Sequence, residues 1–135
     1  MLSRFPVFML SKENYFFILF LAVILVIRLF LYLRPTPGPT FGGIRIHHWV
    51  VGVLLLAVAL LLLAVIPSVY SRITLTVFAV GLALFLDELT YLFIGGQTHA
   101  DNYSRISLLG TAALVGLVFF LRKYLVMIFN LSLTI

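Results

Sequence analysis

The sequence predicts an all-α, polytopic membrane protein with four transmembrane helices in an antiparallel bundle. Three observations predict it. The chain is 64% hydrophobic and 10% charged, with mean hydropathy +1.25; soluble domains run at about 45–50% apolar and about 25% charged. Its apolar residues fall into four runs, each near the ~20 residues a helix needs to span hydrocarbon. None of these runs alternates apolar and polar with period two, so they read as helices and not as barrel strands. The four runs take up nearly all of the 135 residues, so a single membrane domain over 1–135 is expected.

The first helix is expected over residues 15–33. Ser11 can cap it, and Glu13 sits in the first turn, where the helix dipole favours a carboxylate. Pro35, Pro37 and Pro39 end it and stiffen the linker. The second helix is expected over 46–66, stopping at Pro67. The third is expected over 72–94, stopping at Gly95-Gly96. The fourth is expected over 104–121 or beyond, with Asp101 or Ser104 as its cap. Two apolar ends remain, 5–10 and 124–135, both on one side of a four-span protein. Each reads as an interfacial anchor, or for the second a continued helix, or else as a surface for a partner subunit.

Composition excludes several classes. The chain has no cysteine, which rules out disulfides, thiolate metal sites and cysteine nucleophiles. The net charge of +5 points to anionic lipid headgroups as counter-charge. The basic residues form no face or aromatic-interleaved patch, so no nucleic-acid partner is expected. The first apolar run is too long for a cleavable signal peptide and ends in Arg34-Pro35. Arg4, Lys12, Arg72, Arg122 and Lys123 fall on the side of the termini, against Arg28, Arg34, Arg45 and Arg105 on the other. That narrow excess leans both termini towards the cytoplasm.

Chemistry concentrates in one place. Asp87 and Glu88 interrupt the apolar run 77–94, and charge within a span marks a functional site or a buried ion pair. Arg45-Ile46-His47-His48 opens the second helix. With Val69 as the midpoint between helices two and three, His48 lies 21 residues before it and Glu88 lies 19 after it. At ~1.5 Å rise per residue their depths differ by only about 3 Å. Arg28 lies near the same end of the first helix. The loop before the fourth helix adds His99, Asp101, Asn102, Tyr103 and Ser104.

Helical phase orients these groups. Ala79, Ala83 and Asp87 form one stripe, beside Gly81, Leu84 and Glu88; His48, Gly52, Leu55 and Ala59 form another. Helix four offers Ala112 and Gly116. Small residues four apart let membrane helices approach closely. His48 and Asp87 are thus the expected inward pair, with His47 turned by roughly 100° from His48 if both are helical.

Three readings of the cluster stand side by side. In the structural one, Arg28 and Arg45 neutralise Asp87 and Glu88, while His47, His48 and Trp49 sit at the interface. In the second, His48, His47, Glu88 and Asp87, with His99 or Asp101, ligate a divalent metal such as zinc, or non-haem iron. A metal with an open position would activate water for hydrolysis of a lipid or lipid-linked substrate, with Glu88 and Asp87 as catalytic carboxylates and Glu88 as general base. No His-Glu-x-x-His spacing supports it. In the third, Asp, Glu and His relay protons or ions through an oligomer.

Arg45-Ile46-His47-His48-Trp49, the run from Gly81 to Glu88, and Asp101-Asn102-Tyr103-Ser104 together resemble a group of uncharacterised small multi-span membrane proteins of bacteria and archaea. In that group a His-rich helix start is paired with a Leu-Asp-Glu element and an acidic-aromatic-serine segment. The resemblance covers about residues 44–110 and implies no activity. Trp is more frequent in that group where Ser104 follows Tyr103.

The functional expectation is a small membrane enzyme or binding protein acting at headgroup level, in one form metal-dependent. The alternative is a non-catalytic subunit of a larger membrane complex, docked through its apolar tails. An oligomeric proton or solute conductor is third.

Overall fold

The computed structural model describes residues 10–33, 40–41, 44–45, 47–65, 71–95 and 99–131. Four helices account for most of them: α1 (Lys12–Leu33), α2 (His48–Val65), α3 (Ser71–Phe93) and α4 (Arg105–Leu131). All four are long and apolar enough to cross a membrane. A two-stranded antiparallel ribbon, β1 (Thr40–Phe41) with β2 (Ile44–Arg45), precedes α2, and a 3-10 turn (His99–Tyr103) precedes α4. The ribbon is too short to leave a period-two signal in the sequence.

The helix ends follow local chemistry. Ser11 caps α1: the Asn14 N–H donates to its Oγ at 3.4 Å and the Tyr15 N–H to its carbonyl at 2.9 Å. The helix therefore starts at Lys12, a turn ahead of the apolar run. α3 stops at Gly95, whose φ of 64° lies in the left-handed region that glycine adopts without a Cβ clash. There the Ile94 N–H donates to the Thr90 carbonyl at 3.2 Å, and the Gly95 N–H to Leu92 at 3.1 Å. Of the two expected caps for α4, Ser104 does the work, its Oγ accepting the Ser107 N–H at 3.2 Å. Asp101 contributes its carbonyl to the Ser104 N–H. α4 then runs on to Leu131, so the apolar stretch from Tyr124 is helix at least that far. The N-terminal segment 5–10 lies outside the described residues but for Leu10, as do Pro35, Pro37, Pro39 and Pro67.

The apolar core joins three helices. Phe16, Phe20 and Ile24 of α1 meet Leu75, Ala79 and Ala83 of α3 and Val118, Val126 and Phe129 of α4. Ring pairs tie it together: Phe16 with Phe78 (centroids 5.8 Å apart), Phe78 with Phe129 (4.9 Å) and Phe17 with Phe119 (5.1 Å). α2 packs differently. It lies against α3 alone among the closely contacting pairs of helices, and only Gly52 and Ala59 of it are buried.

The α2–α3 contact depends on glycine. A Cβ on Gly52 would come within 2.7 Å of the Phe85 nitrogen and 2.8 Å of the Gly81 carbonyl oxygen. A Cβ on Gly81 would come within 3.0 Å of the Gly52 carbonyl oxygen. The Gly52 stripe of α2 therefore meets the Gly81 stripe of α3, while Ala79 and Ala83 join the core with α1 and α4. On α4 the expectation fails. Ala112 is exposed, and a Cβ on Gly116 would meet nothing within 4 Å. The buried stripe of α4 is instead Ser107, Thr111, Val118, Val126 and Phe129, with its close approach at Gly110 against Thr90. Further along α4, Val118, Val126 and Phe129 are the buried side chains, and no glycine contact is made there at Gly116.

Candidate functional site

Asp87 and Glu88 are successive residues of α3, so their side chains diverge by roughly 100° and serve different neighbours. Both are buried. Asp87 faces α1: its Oδ1 accepts from Arg28 Nε at 2.6 Å, and its backbone carbonyl accepts from Arg28 Nη2 at 3.1 Å. Glu88 faces the start of α2. Its Oε1 is hydrogen-bonded to His47 Nδ1, and its Oε2 accepts the Trp49 backbone N–H at 3.1 Å. That N–H belongs to the first turn of α2, where no intrahelical acceptor exists. Glu88 thus caps α2 from a neighbouring helix, with its negative charge at the positive end of the helix dipole.

His48 bridges the pair. Its Nε2 lies 3.3 Å from Asp87 Oδ2, and its Nδ1 lies 3.3 Å from Glu88 Oε2. Counting along α2 and α3 had put His48 and Glu88 level, and they meet. Phase alone had turned His47 away. His47 precedes α2, so helical phase does not bind it and its ring reaches Glu88.

Arg28 ties in the rest. Besides Asp87, Nη1 donates to the Asn102 carbonyl and Nη2 to Thr111 Oγ1 at 2.9 Å. Thr111 is in turn 3.2 Å from Thr90 Oγ1. The Tyr103 hydroxyl donates to the Arg28 carbonyl at 2.8 Å. One guanidinium therefore joins α1, α3, α4 and the 3-10 turn, using the fixed fork geometry that lysine lacks. Burial pushes the Tyr103 phenol up; nearby Arg28 opposes this, and Asp87 and Tyr32 add to it. The histidines form the outer layer of the cluster: their side chains are 30% (His47) and 25% (His48) exposed, against 4% for Glu88 and 2% for Asp87.

Of the residues singled out from sequence, Arg28, His47, His48, Asp87 and Glu88 come together. Arg45 pairs its backbone with Thr40 in the ribbon, and its side chain lies outside the described ones. His99 opens the 3-10 turn, its side chain likewise not described; Asp101 is half-buried in that turn. Among the described residues, no group of three or more histidines and carboxylates is placed to hold a metal ion. Sequence reasoning missed Thr111 and Thr90 and the roles of Asn102 and Tyr103. Thr111 was within reach, since it follows Ser107 by one turn at the same end of α4.

No known protein family, curated protein or solved structure is significantly similar to this chain.

Among the described residues, Asp87 Oδ1 and Oδ2 and Glu88 Oε1 and Oε2 each lie within hydrogen-bond distance of an internal nitrogen. The geometry ties both carboxylates to neighbouring helices.

Proposed function

We propose that the four helices cross the membrane as an antiparallel bundle and that the protein is a non-catalytic structural subunit of a larger membrane assembly. The cluster is then an ionic clamp that sets the helix arrangement. The observation that carries this reading is the pairing of all four carboxylate oxygens with donors from α1 and the start of α2. A general base must reach the proton it takes, and a substrate would compete with an internal nitrogen at each of these oxygens. A relay needs polar groups in series. Phe20, Ile24, Ala79 and Ala83 are the buried residues next along the bundle, and all are apolar. α2 presents Val51, Leu54, Val58 and Leu61 outward as a continuous apolar face, a surface suited to neighbouring subunits or lipid. We place the termini in the cytoplasm. Arg4, Lys12, Arg72, Arg122 and Lys123 on their side outnumber the cations of the other side by one. Native size in mild detergent tests the subunit reading. A larger stoichiometric assembly supports it, and a solitary, stable monomer overturns it.

A second reading is favoured by one observation: two part-exposed imidazoles stand in front of two carboxylates, all ligand types that suit zinc. On this reading the protein is a metal-dependent hydrolase at headgroup level, and a metal would have to displace the present His–carboxylate contacts. Elemental analysis of purified protein, wild type against His48→Ala, separates the two. Stoichiometric metal lost in the variant selects the hydrolase.

A further inference from the structure

Arg122 and Lys123 interrupt α4 between two stretches of exposed apolar side chains, Phe119 to Leu121 on one side and Tyr124, Met127 and Ile128 on the other. The Arg122 guanidinium lies 3.9 Å from the centroid of the Phe119 ring and donates from Nη1 to the Phe119 carbonyl at 2.5 Å. Lys123 is exposed. The start of α1 stands beside them, because Glu13 is within electrostatic reach of both Arg122 and Lys123. Arg122 and Lys123 against Glu13 leave these three side chains with one net positive charge. At the other cluster the Arg28 charge is met by Asp87.

A cationic pair flanked along the helix by exposed apolar surface fits a ligand of matching build: an anionic phosphate joined to hydrocarbon chains. A soluble acidic peptide would match the charge but has no hydrocarbon chain to follow the apolar side chains of α4 into the membrane. We infer that the α1–α4 corner is a binding site for an anionic phospholipid. The phosphate sits between Arg122 and Lys123, and the acyl chains run back along α4 past Phe120 and Leu117, both exposed. The arginine fork suits the phosphate oxygens, and Tyr124 sits where interfacial aromatics are enriched. The inference depends on membrane embedding and is independent of the role proposed for the clamp.

Detergent-purified full-length protein would be exposed to mixed micelles of phosphatidylglycerol or phosphatidylcholine, and retained lipid counted by native mass spectrometry. The wild type should retain phosphatidylglycerol in preference. Each cation near an anionic headgroup is worth about fivefold, so R122Q/K123Q should lose roughly 25-fold of that preference. R122K/K123R keeps the charge and should keep most of the preference. Equal retention of both lipids by the wild type overturns the site, as does a preference undiminished in R122Q/K123Q. Inorganic phosphate at millimolar concentration should not abolish the preference; if it does, the acyl contacts play no part and the lipid assignment falls. Unchanged melting of both variants in a neutral detergent excludes misfolding as the cause.

Discussion

Arg28 and Asp87, 59 residues apart, are joined twice: Nε donates to Oδ1 at 2.6 Å, and Nη2 donates to the Asp87 carbonyl at 3.1 Å. The arginine therefore fixes both the side chain of Asp87 and the path of α3 at that point. A buried pair of this kind is worth little relative to a well-packed apolar substitute, yet breaking it from one side is costly. What remains is an unpartnered charge in a site built to exclude water.

That asymmetry gives the first prediction. Arg28→Leu or Asp87→Leu alone should destabilise by about 3–5 kcal/mol. The double variant should recover a large part of the loss, because neither charge is then stranded. Denaturant unfolding in detergent, arranged as a double-mutant cycle, measures the coupling. Additive losses would reject the clamp.

The second prediction concerns Gly52 and Gly81. A methyl at either position meets the backbone of the facing helix at 3.0 Å or less, and backbone cannot rotate out of the way as a side chain can. Gly52→Ala should cost about 1–3 kcal/mol and weaken the α2–α3 contact. Gly116→Ala is the control, with nothing within 4 Å of its added Cβ. Helix propensity should make that change neutral or stabilising by up to about 1 kcal/mol. Thermal unfolding of the three proteins decides. Equal effects at Gly52 and Gly116 would mean that the close approach is not what holds α2.

These two sites show what was legible beforehand. The depth of His48 and Glu88 follows from residue counting, because both lie on helices either side of one short connection. The meeting of Gly52 with Gly81 follows from small-residue spacing on the same pair. The partners of Arg28 were harder. Asn102 contributes a backbone carbonyl, which no residue type advertises. Tyr103 donates to another carbonyl, in the last third of α1. His47 was among the candidate residues, but helical phase could not aim its side chain, because it precedes α2. On α4, Ala112 and Gly116 matched the small-residue pattern while the buried stripe ran through Ser107, Thr111 and Val118. Pattern alone cannot choose a face on a helix that is apolar all round.

The third prediction is at Tyr103. Its hydroxyl donates to the Arg28 carbonyl, so Tyr103→Phe should cost about 0.5–1.5 kcal/mol at neutral pH. Burial raises the phenol above its ordinary value of 10.0. At alkaline pH the folded chain holds this proton more tightly than the unfolded chain. The contribution is complete below the unfolded value and is lost as pH rises through the folded one. Wild-type stability should therefore fall more steeply than that of Tyr103→Phe above pH ~10. Parallel alkaline limbs for the two proteins would remove Tyr103 as the cause.

The fourth prediction separates a clamp from a metal centre. Glu88 Oε2 accepts the Trp49 N–H and Oε1 is bonded to His47, so the start of α2 is organised by Glu88 without any ion. Treatment with a strong chelator should leave the melting temperature unchanged. Glu88→Gln keeps one acceptor oxygen but removes the charge, and should destabilise by about 1–3 kcal/mol, since hydrogen bonds to charged groups are the stronger ones. The loss should be the same with and without chelator. In a metal centre the two treatments would interact: chelator would lower the melting point of the wild type and have no further effect on Glu88→Gln. Running both proteins under both conditions gives four melting curves. A chelator effect confined to the wild type would replace the clamp with a metal site at His47, His48, Asp87 and Glu88.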